Sequence, residues 1–429
     1  MKENEMQVEI NKHALDRVPL SIIFDDSTVL VNLNYFFMRD RTLINGEPHR
    51  WEDVPVVHPE SFTREFAEFC LEHGIKGKFS VVPCPAALGR IDHGLPMFSK
   101  AQQESWLQMC RELIMPNYDI TPEMMTHTFV VDLKTLQPVD PNLWEQYGWN
   151  NLPTDQEELV TNYIALACEI LNNVGLTPAG VTSPGGFGSP LDFYAKCAEN
   201  AVRRVTGNPT PYLFKRVNRN NGEAVPTPVW YPKPERGEAM GEVIACIADW
   251  TGAWTGYGEA DVDKYITADL QGGRLPEVID AGDPAVMVSH WQGFYGLHED
   301  DQRGFKVFKE MVKRLNARDP FGERTQWRKC SEITNYAIAR EMAQVTVDGQ
   351  MIVVDLPVQV PELTLRITGV DVMGVRVDGE PLKKAQTRAM FQDGTFLKGD
   401  DASAYRQGEP TFVAFTPKKK NVTVEIFKA

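Results

Sequence analysis

Two adjacent carboxylates open the part of the sequence that could carry out chemistry. Asp25 and Asp26 follow the short apolar segment Ser21–Phe24, which has the residue types of a buried strand. Side chains at the C-terminal ends of parallel strands lie where α/β barrels carry their active sites. Asp also favours strand ends because it accepts local backbone hydrogen bonds, so a solvated turn is the more common explanation for the pair taken alone.

Further polar residues lie within or directly after other predicted strands. They are His127 in the predicted strand Met124–Asp132, Ser183 after Ala179–Thr182, Asp249 at the end of Glu242–Asp249, and His290 after Ala285–Ser289. A single strand histidine is commonly a hydrogen-bonded core residue. Because parallel strands bring their C-terminal ends to one edge of a sheet, the set as a whole predicts convergence with Asp25 and Asp26.

Alternating helices and strands must position these groups. Amphipathic helices such as Ser61–His73, and the capping-box pairs Ser99/Gln102 and Thr154/Glu157, punctuate the first three quarters of the chain. Repeated strand–helix units of this length predict an α/β fold with a parallel sheet, most naturally a deformed (β/α) barrel. The irregular stretch 33–57 is predicted to be a loop that covers the site.

The pattern changes near Arg340, where short strands alternate with turns such as Asp348-Gly349 and Asp378-Gly379. This predicts a small all-β sandwich. We therefore predict an N-terminal arm at 1–18, a barrel at 19–338 and a β-sandwich at 339–429.

Composition narrows the classes of partner. The chain has 429 residues and a net charge of −15, which disfavours nucleic acid or an anionic membrane as the main partner. No apolar run approaches the roughly 18 to 20 residues of a membrane span. The start Met1–Gln7 is polar, so we expect no secretion signal and a cytoplasmic protein. The seven scattered cysteines lack a CxxC pair and are expected to be reduced core residues.

The order of these motifs resembles the polysaccharide deacetylase family of carbohydrate esterases over roughly residues 20 to 320. The similar segments are Phe24-Asp25-Asp26, His127-Thr128, Ser183–Gly186, Asp249-Trp250 and His290. The resemblance implies that Asp26 and His127 bind a divalent metal, with zinc as the first expectation. It also implies that Asp25 is the general base and His290 the general acid, a role suited to a group that titrates near neutral pH.

The sequence departs from the family pattern at three positions. The second histidine of the family falls here on Val131, and we predict Asp132 as the replacement metal ligand. The arginine that steadies the base in the family is Thr182, and the glycine after the Asp pair is Ser27.

Aromatic residues crowd the same strand ends, and a flat ring suits the apolar face of a sugar. They are Trp250, Trp254, Tyr257, Trp291, Phe294 and Tyr295. Burial in the core is the alternative role for each ring. We predict substrate binding by Ser183, Asp249, Trp250, Trp291 and Tyr295.

These observations predict a hydrolase that removes an acyl group from a carbohydrate by N- or O-deacetylation. Two alternatives stay open: another carbohydrate-active hydrolase with a rebuilt metal site, and a catalytically inactive sugar-binding protein. The expected partner is a carbohydrate, without nucleic acid or membrane, and a homo-oligomer is compatible with the sequence.

Overall fold

The computed structural model describes residues 6–40, 50–399 and 410–428. These residues form an α/β unit around one large hydrophobic cluster and an all-β unit around a second cluster. No helix within the described ranges is long and apolar enough to span a membrane. All seven cysteines are buried and free, as expected.

The strands and helices follow in chain order. The strands are β1 (Gln7–Ile10), β2 (Val18–Asp25), β3 (Gly77–Ser80), β4 (Tyr118–Thr121), β5 (Gly180–Thr182), β6 (Tyr212–Val217), β7 (Val229–Lys233), β8 (Glu238–Ala245), β9 (Ala285–His290), β10 (Thr325–Trp327), β11 (Gln344–Asp348), β12 (Met351–Asp355), β13 (Leu363–Thr368), β14 (Val372–Val377), β15 (Glu380–Pro381), β16 (Lys383–Lys384), β17 (Thr395–Lys398), β18 (Thr411–Phe415) and β19 (Asn421–Lys428). The helices are α1 (Leu33–Asp40), α2 (Glu60–Glu72), α3 (Lys100–Met109), α4 (Glu157–Asn173), α5 (Leu191–Thr206), α6 (Arg274–Asp280), α7 (Trp291–Tyr295), α8 (Arg303–Arg318) and α9 (Cys330–Met342).

The α/β unit contains two sheets of mainly parallel strands. One runs β4–β3–β2–β9, with β10 beside the start of β2, and the other runs β5–β6–β8–β7, in which β7 is antiparallel. Backbone hydrogen bonds link the sheets at two places. Ala179 N donates to Ile120 O (3.0 Å) between β4 and β5, and Cys246 N donates to Val286 O (2.7 Å) between β8 and β9. The two sheets therefore adjoin at two places, between β4 and β5 and between β8 and β9.

Apolar patterning explains these elements. Every residue of β2 is buried, as expected for a parallel strand covered on both faces. The predicted inner stripe of α8, which contains Phe305, Phe308, Val312 and Leu315, is buried in the core. The predicted capping box of Ser99 and Gln102 begins α3.

Several predicted elements are wrong, and backbone geometry explains the most consequential one. The third strand is β4 rather than Met124–Asp132, because Met124 and His127 have φ angles of 52° and 60°, which an extended strand excludes. Thr154 does not cap α4, whose N-cap residue Gln156 makes no capping side-chain bond. The stretch 33–57 begins with the helix α1, and residues 41–49 of that stretch lie outside the described ranges.

The all-β unit contains two sheets that share one hydrophobic cluster. Their orders are β1–β13–β18–β17–β16 and β11–β12–β19–β14–β15. The strand β1 pairs antiparallel with β13, so the predicted arm at 1–18 contains an edge strand of this unit. Helix α9 connects the units: Thr334 packs against Gly241 of β8, and Tyr336 belongs to the all-β cluster.

Candidate active site

The register of two parallel strands brings the first pair of functional groups together. Asp25 of β2 lies directly opposite His290 of β9. The neighbouring Phe24 is completely buried, and its ring packs against Phe66 and Phe294 with centroids 4.7 Å away in each case. These ring contacts fix the end of β2 in the core, and so they also fix the positions of Asp25 and Asp26, which directly follow Phe24.

Asp26 meets a histidine and a second carboxylate. Its Oδ1 lies 2.7 Å from His127 Nε2, and Glu123 Oε1 lies 3.3 Å from the same nitrogen. The backbone N–H of Asp26, which has a φ of 62°, donates to Glu123 Oε2 (2.8 Å). One ligand atom from each of Asp26, Glu123 and His127 can be chosen so that all three lie within 4.8 Å of one another.

The chemistry of this triad fits a divalent cation. All three side chains are buried, and two carboxylates with one imidazole form a donor set that suits zinc or a similar ion. Burial acts to raise the pKa of Asp26, but His127 and His290 outweigh it and the pKa is lowered. Burial likewise acts to lower the pKa of His127, but Asp26 and Glu123 raise it well above its usual value. The triad therefore attracts positive charge.

The loop that carries His127 is held by a buried carboxylate, Glu145. Its Oε1 accepts hydrogen bonds from the backbone N–H groups of Met125 and Thr126 (3.1 Å each), and its Oε2 accepts from that of His127 (2.7 Å). Tyr163 donates its hydroxyl to Oε1 (2.5 Å). Burial raises the pKa of Glu145 to about 7. These bonds satisfy backbone donors that have no strand partner and fix the turn that directs His127 toward Asp26.

Asp25 is paired with a buried lysine. Lys78 Nζ of β3 lies 2.6 Å from Asp25 Oδ1 and also donates to Ser80 Oγ (2.8 Å). Burial raises the pKa of Asp25 to about 6, although Lys78 acts in the opposite direction. Asp25 is thus a carboxylate that gains a proton unusually close to neutral pH.

His290 is oriented by Asp249. The Nδ1 atom of His290 lies 2.7 Å from Asp249 Oδ2, which also accepts the backbone N–H of His290 (3.1 Å). The other oxygen of Asp249 accepts from the N–H and the hydroxyl of Thr251. Burial acts to lower the pKa of His290, but Asp26 and Asp249 raise it to about 10. The imidazolium form is therefore favoured at neutral pH.

A cavity of about 230 Å³ joins these groups. Its lining contains Asp25, Asp26, Glu123, His127 and His290, together with side chains of α1 and of three loops. The additional lining residues are Asn34, Phe37, Gln146, Tyr147, Gly185 and Trp254. The cavity therefore brings Asp25 and His290 together with the triad of Asp26, Glu123 and His127 and with aromatic side chains.

The structure brings together four of the residues predicted from sequence: Asp25, Asp26, His127 and His290. It does not bring Asp132 to them. Asp132 is exposed, and its Oδ1 accepts from Lys134 N and from the N–H and hydroxyl of Thr135, whereas the carboxylate that lies beside Asp26 and His127 is that of Glu123. Asp132 is engaged in its own turn, which directs its oxygens away from the triad.

The residues predicted to bind substrate lie outside the cavity lining. Trp291 and Tyr295 are core residues of the α/β unit, because the ring of Phe62 in α2 packs on both of them. Trp250 packs on Tyr265, and Asp249 reaches the site only through His290. None of these four lines the cavity, and neither does Ser183, whose N–H donates to Phe214 O.

Sequence reasoning missed three residues with clear roles. Glu123 lies four residues before His127, a spacing that could have suggested a second ligand. Lys78 is a charged residue within the otherwise apolar strand Gly77–Ser80, and such a residue needs a buried partner. Gln146, whose Nε2 lies 3.0 Å from His127 Nδ1, had no sequence signal.

No protein-family model matches the chain, and no curated protein matches it either. Similar solved structures include a protein assigned to the polysaccharide deacetylases from Mycobacterium smegmatis, with 13% identity and a TM-score of 0.43 over 79% of this chain and 99% of that one. A second is a protein from Parabacteroides distasonis that is assigned as a glycoside hydrolase/deacetylase. It has 11% identity and a TM-score of 0.39 over 80% of this chain and 79% of that one. A debranching enzyme from Nostoc punctiforme has 9% identity and a TM-score of 0.32 over 98% and 100%. Similarities at this level define neither a family nor an activity.

Proposed function

We propose that this protein is a metal-dependent hydrolase that removes an acyl group from a carbohydrate. The observation that carries the proposal is the convergence of the triad Asp26, Glu123 and His127 with Asp25 and His290 on one cavity. We also propose that the two sheets of mainly parallel strands form one deformed barrel, and that the all-β unit is a β-sandwich. The hydrogen bonds that link β4 to β5 and β8 to β9 support the barrel.

Asp26, Glu123 and His127 would hold the divalent ion, because their ligand atoms are close together, buried and next to the cavity. When bound, such an ion polarises an acyl carbonyl and makes water more acidic. Gln146 and Glu145 keep the imidazole of His127 and its loop in position.

Asp25 is the proposed general base. A pKa of about 6 leaves it mostly ionised at neutral pH while it remains basic enough to accept a proton from water. Lys78 holds this carboxylate by a hydrogen bond of 2.6 Å to its Oδ1.

His290 is the proposed general acid. Its Nδ1 is engaged by Asp249, which leaves Nε2 as the nitrogen that can donate a proton to a departing amine or alcohol. The carboxylate of Asp249 stabilises the imidazolium that must be present before this transfer.

The aromatic rim supports a carbohydrate as the substrate. Trp254 and Phe37 line the cavity, with ring centroids 5.3 Å apart. Exposed edges and faces of such rings suit the apolar face of a sugar, while Asn34 and Tyr147 supply polar contacts for hydroxyl groups.

Metal content tests the proposal directly. The purified protein, incubated with zinc, cobalt or manganese and then desalted, is expected to retain about one ion per chain by elemental analysis. Asp26→Ala and Glu123→Gln are expected to abolish this retention, whereas the matched exposed variant Asp132→Asn keeps it. Equal retention in Glu123→Gln would remove Glu123 from the ligand set.

Activity separates the proposed function from its alternatives. We expect metal-dependent release of acetate from acetylated sugars or N-acetylglucosamine oligomers, and its loss in Asp25→Asn and His290→Gln. Cleavage of glycosidic bonds without release of acetate would instead identify another carbohydrate-active hydrolase. Sugar binding with neither reaction would identify an inactive binding protein.

A further inference from the structure

A second cavity, of about 310 Å³, lies at the junction of the two units and shares no residue with the candidate active site. Its lining includes Pro19 at the start of β2, Pro284 directly before β9, and residues of α9 and of the loop before β13. These positions are at the N-terminal ends of the parallel strands. Pro19 and Asp25 lie at opposite ends of β2, about 20 Å apart at about 3.3 Å per residue.

The lining of this cavity is positive in a strongly acidic protein. It contains four cationic side chains, Lys12, Arg17, Arg328 and Arg340, and two acidic ones, Asp283 and Glu332. The whole chain has a net charge of −15. Four basic side chains therefore lie around this one cavity, although acidic residues outnumber basic ones in the chain as a whole.

Carboxylates neutralise only some of these cations. Lys12 pairs with Asp283 (2.7 Å), and Arg328 pairs with Glu362. The remaining acid, Glu332, pairs with Lys76, which lies outside the lining.

Arg17 and Arg340 form no ion pair with any carboxylate among the described residues. Arg17 Nη2 donates to the carbonyls of Arg388 (3.0 Å) and Phe391 (3.1 Å), and Arg340 Nη1 donates to the carbonyl of Lys12 (3.3 Å). Burial and the nearby Arg388 lower the pKa of Arg17. Within the described ranges neither guanidinium is held by a direct ion pair, although Glu362 and Asp319 act on Arg17 from a distance, and each keeps N–H donors that these carbonyls do not engage.

The rest of the lining suits a compact organic molecule. Four prolines, Pro19, Pro226, Pro284 and Pro361, form stiff apolar walls with Ile333 and Val360. Asn335 also lines the cavity, and its buried Oδ1 has no hydrogen-bond partner within the described part of the chain. Such walls and an unmatched buried polar atom are features of pockets that bind small molecules.

We infer that this junction cavity binds a small organic anion, a carboxylate or phosphate compound, through Arg17 and Arg340. Guanidinium groups match both kinds of oxyanion with paired, charge-assisted hydrogen bonds. Because both units contribute to the lining, the bound anion stabilises their junction. Binding to the folded state alone must also raise the stability of the protein as the anion concentration increases.

Titration calorimetry and thermal unfolding of the full chain test this inference with citrate and inorganic phosphate as probes. At constant ionic strength set by sodium chloride, we expect one site per chain and a melting temperature that rises with the concentration of the probe. Arg340→Gln is the main variant because its guanidinium makes one hydrogen bond, to the carbonyl of Lys12 (3.3 Å), within the described residues, so its loss leaves the fold intact. We expect this variant to bind about tenfold more weakly, the effect of about one charge-assisted hydrogen bond.

Two further variants complete the test. Ala337→Leu narrows the cavity without changing its charge and should also weaken binding, whereas Arg204→Gln removes an arginine outside the lining and should not. Binding of citrate alone identifies a carboxylate site, and binding of phosphate alone a phosphate site. The inference is overturned if neither probe binds at millimolar concentrations, or if Arg340→Gln and Arg204→Gln bind equally well.

Discussion

The ammonium group of Lys78 lies 2.6 Å from Oδ1 of Asp25, and the side chain of this lysine is 0% exposed. A buried charge is stable only when a partner compensates it, so each residue requires the other. Lys78 therefore supplies the cationic partner of Asp25, whereas the uncharged Thr182 stands where the resemblance noted in the sequence has an arginine.

Lys78→Met is expected to lower the free energy of unfolding by about 3 to 5 kcal/mol, because it leaves Asp25 buried without a cation. The pKa of Asp25 should rise above its present value of about 6, which moves the acid limb of the pH–rate profile to higher pH. Urea denaturation and kcat/KM as a function of pH measure the two effects. The double variant with Asp25→Asn should regain part of the stability, and an unchanged Lys78→Met protein would contradict the pairing.

Asp249→Asn is expected to remove the charge that favours the imidazolium form of His290. The pKa of His290 should fall from about 10, so the alkaline limb of the pH–rate profile should move down by about 1 to 3 pH units. The measurement is kcat/KM between neutral and alkaline pH. Asp261→Asn, which alters a half-buried carboxylate that caps a short helical turn, is the control and should leave the profile in place.

Trp254 and Trp250 are close in sequence but differ in role. Trp254→Ala removes a ring from the cavity and should raise KM about fivefold to tenfold, the effect of about 1 kcal/mol of lost contact. Trp250→Ala should leave KM unchanged and lower stability by about 1 to 3 kcal/mol, because this ring packs on Tyr265. The reverse result would return Trp250 to the substrate site.

His58 is expected to make the protein less stable in acid. Burial lowers its pKa from 6.5 to about 4, although its Nε2 hydrogen bond to Gln292 Oε1 acts in the opposite direction. Between these two values the unfolded chain binds the proton and the folded protein does not, so stability falls as pH falls through this window.

Across this pH window the protonation of His58 lowers the free energy of unfolding by about 3 kcal/mol, at about 1.4 kcal/mol per pH unit. In His58→Gln the loss of stability between pH 6.5 and pH 4 should be smaller by that amount, as measured by denaturant unfolding at each pH. His93→Gln, at an exposed histidine, provides the comparison and should behave like the unaltered protein. Equal acid sensitivity of all three proteins would contradict this role for His58.

Much of the α/β unit could be predicted, because its elements obey local rules. Helix α8 follows from its apolar spacing and α3 from its capping box, and both depend on residues a few positions apart. The segment around His127 could not be assigned correctly in the same way. Its residues have strand propensity, but its backbone N–H groups bond to Glu145, which lies eighteen positions further on, rather than to a neighbouring strand.

The sequence by itself determined where β2 and β9 end, and so placed Asp25, Asp26 and His290 at points where the chain leaves the core. Alternation and apolar runs suffice for this, since they decide which segments are buried. Only the tertiary structure decided that Glu123, and not Asp132, completes the triad and that Lys78 faces Asp25. These contacts depend on the register between strands and on the path of one loop, which are set by packing between distant parts of the chain.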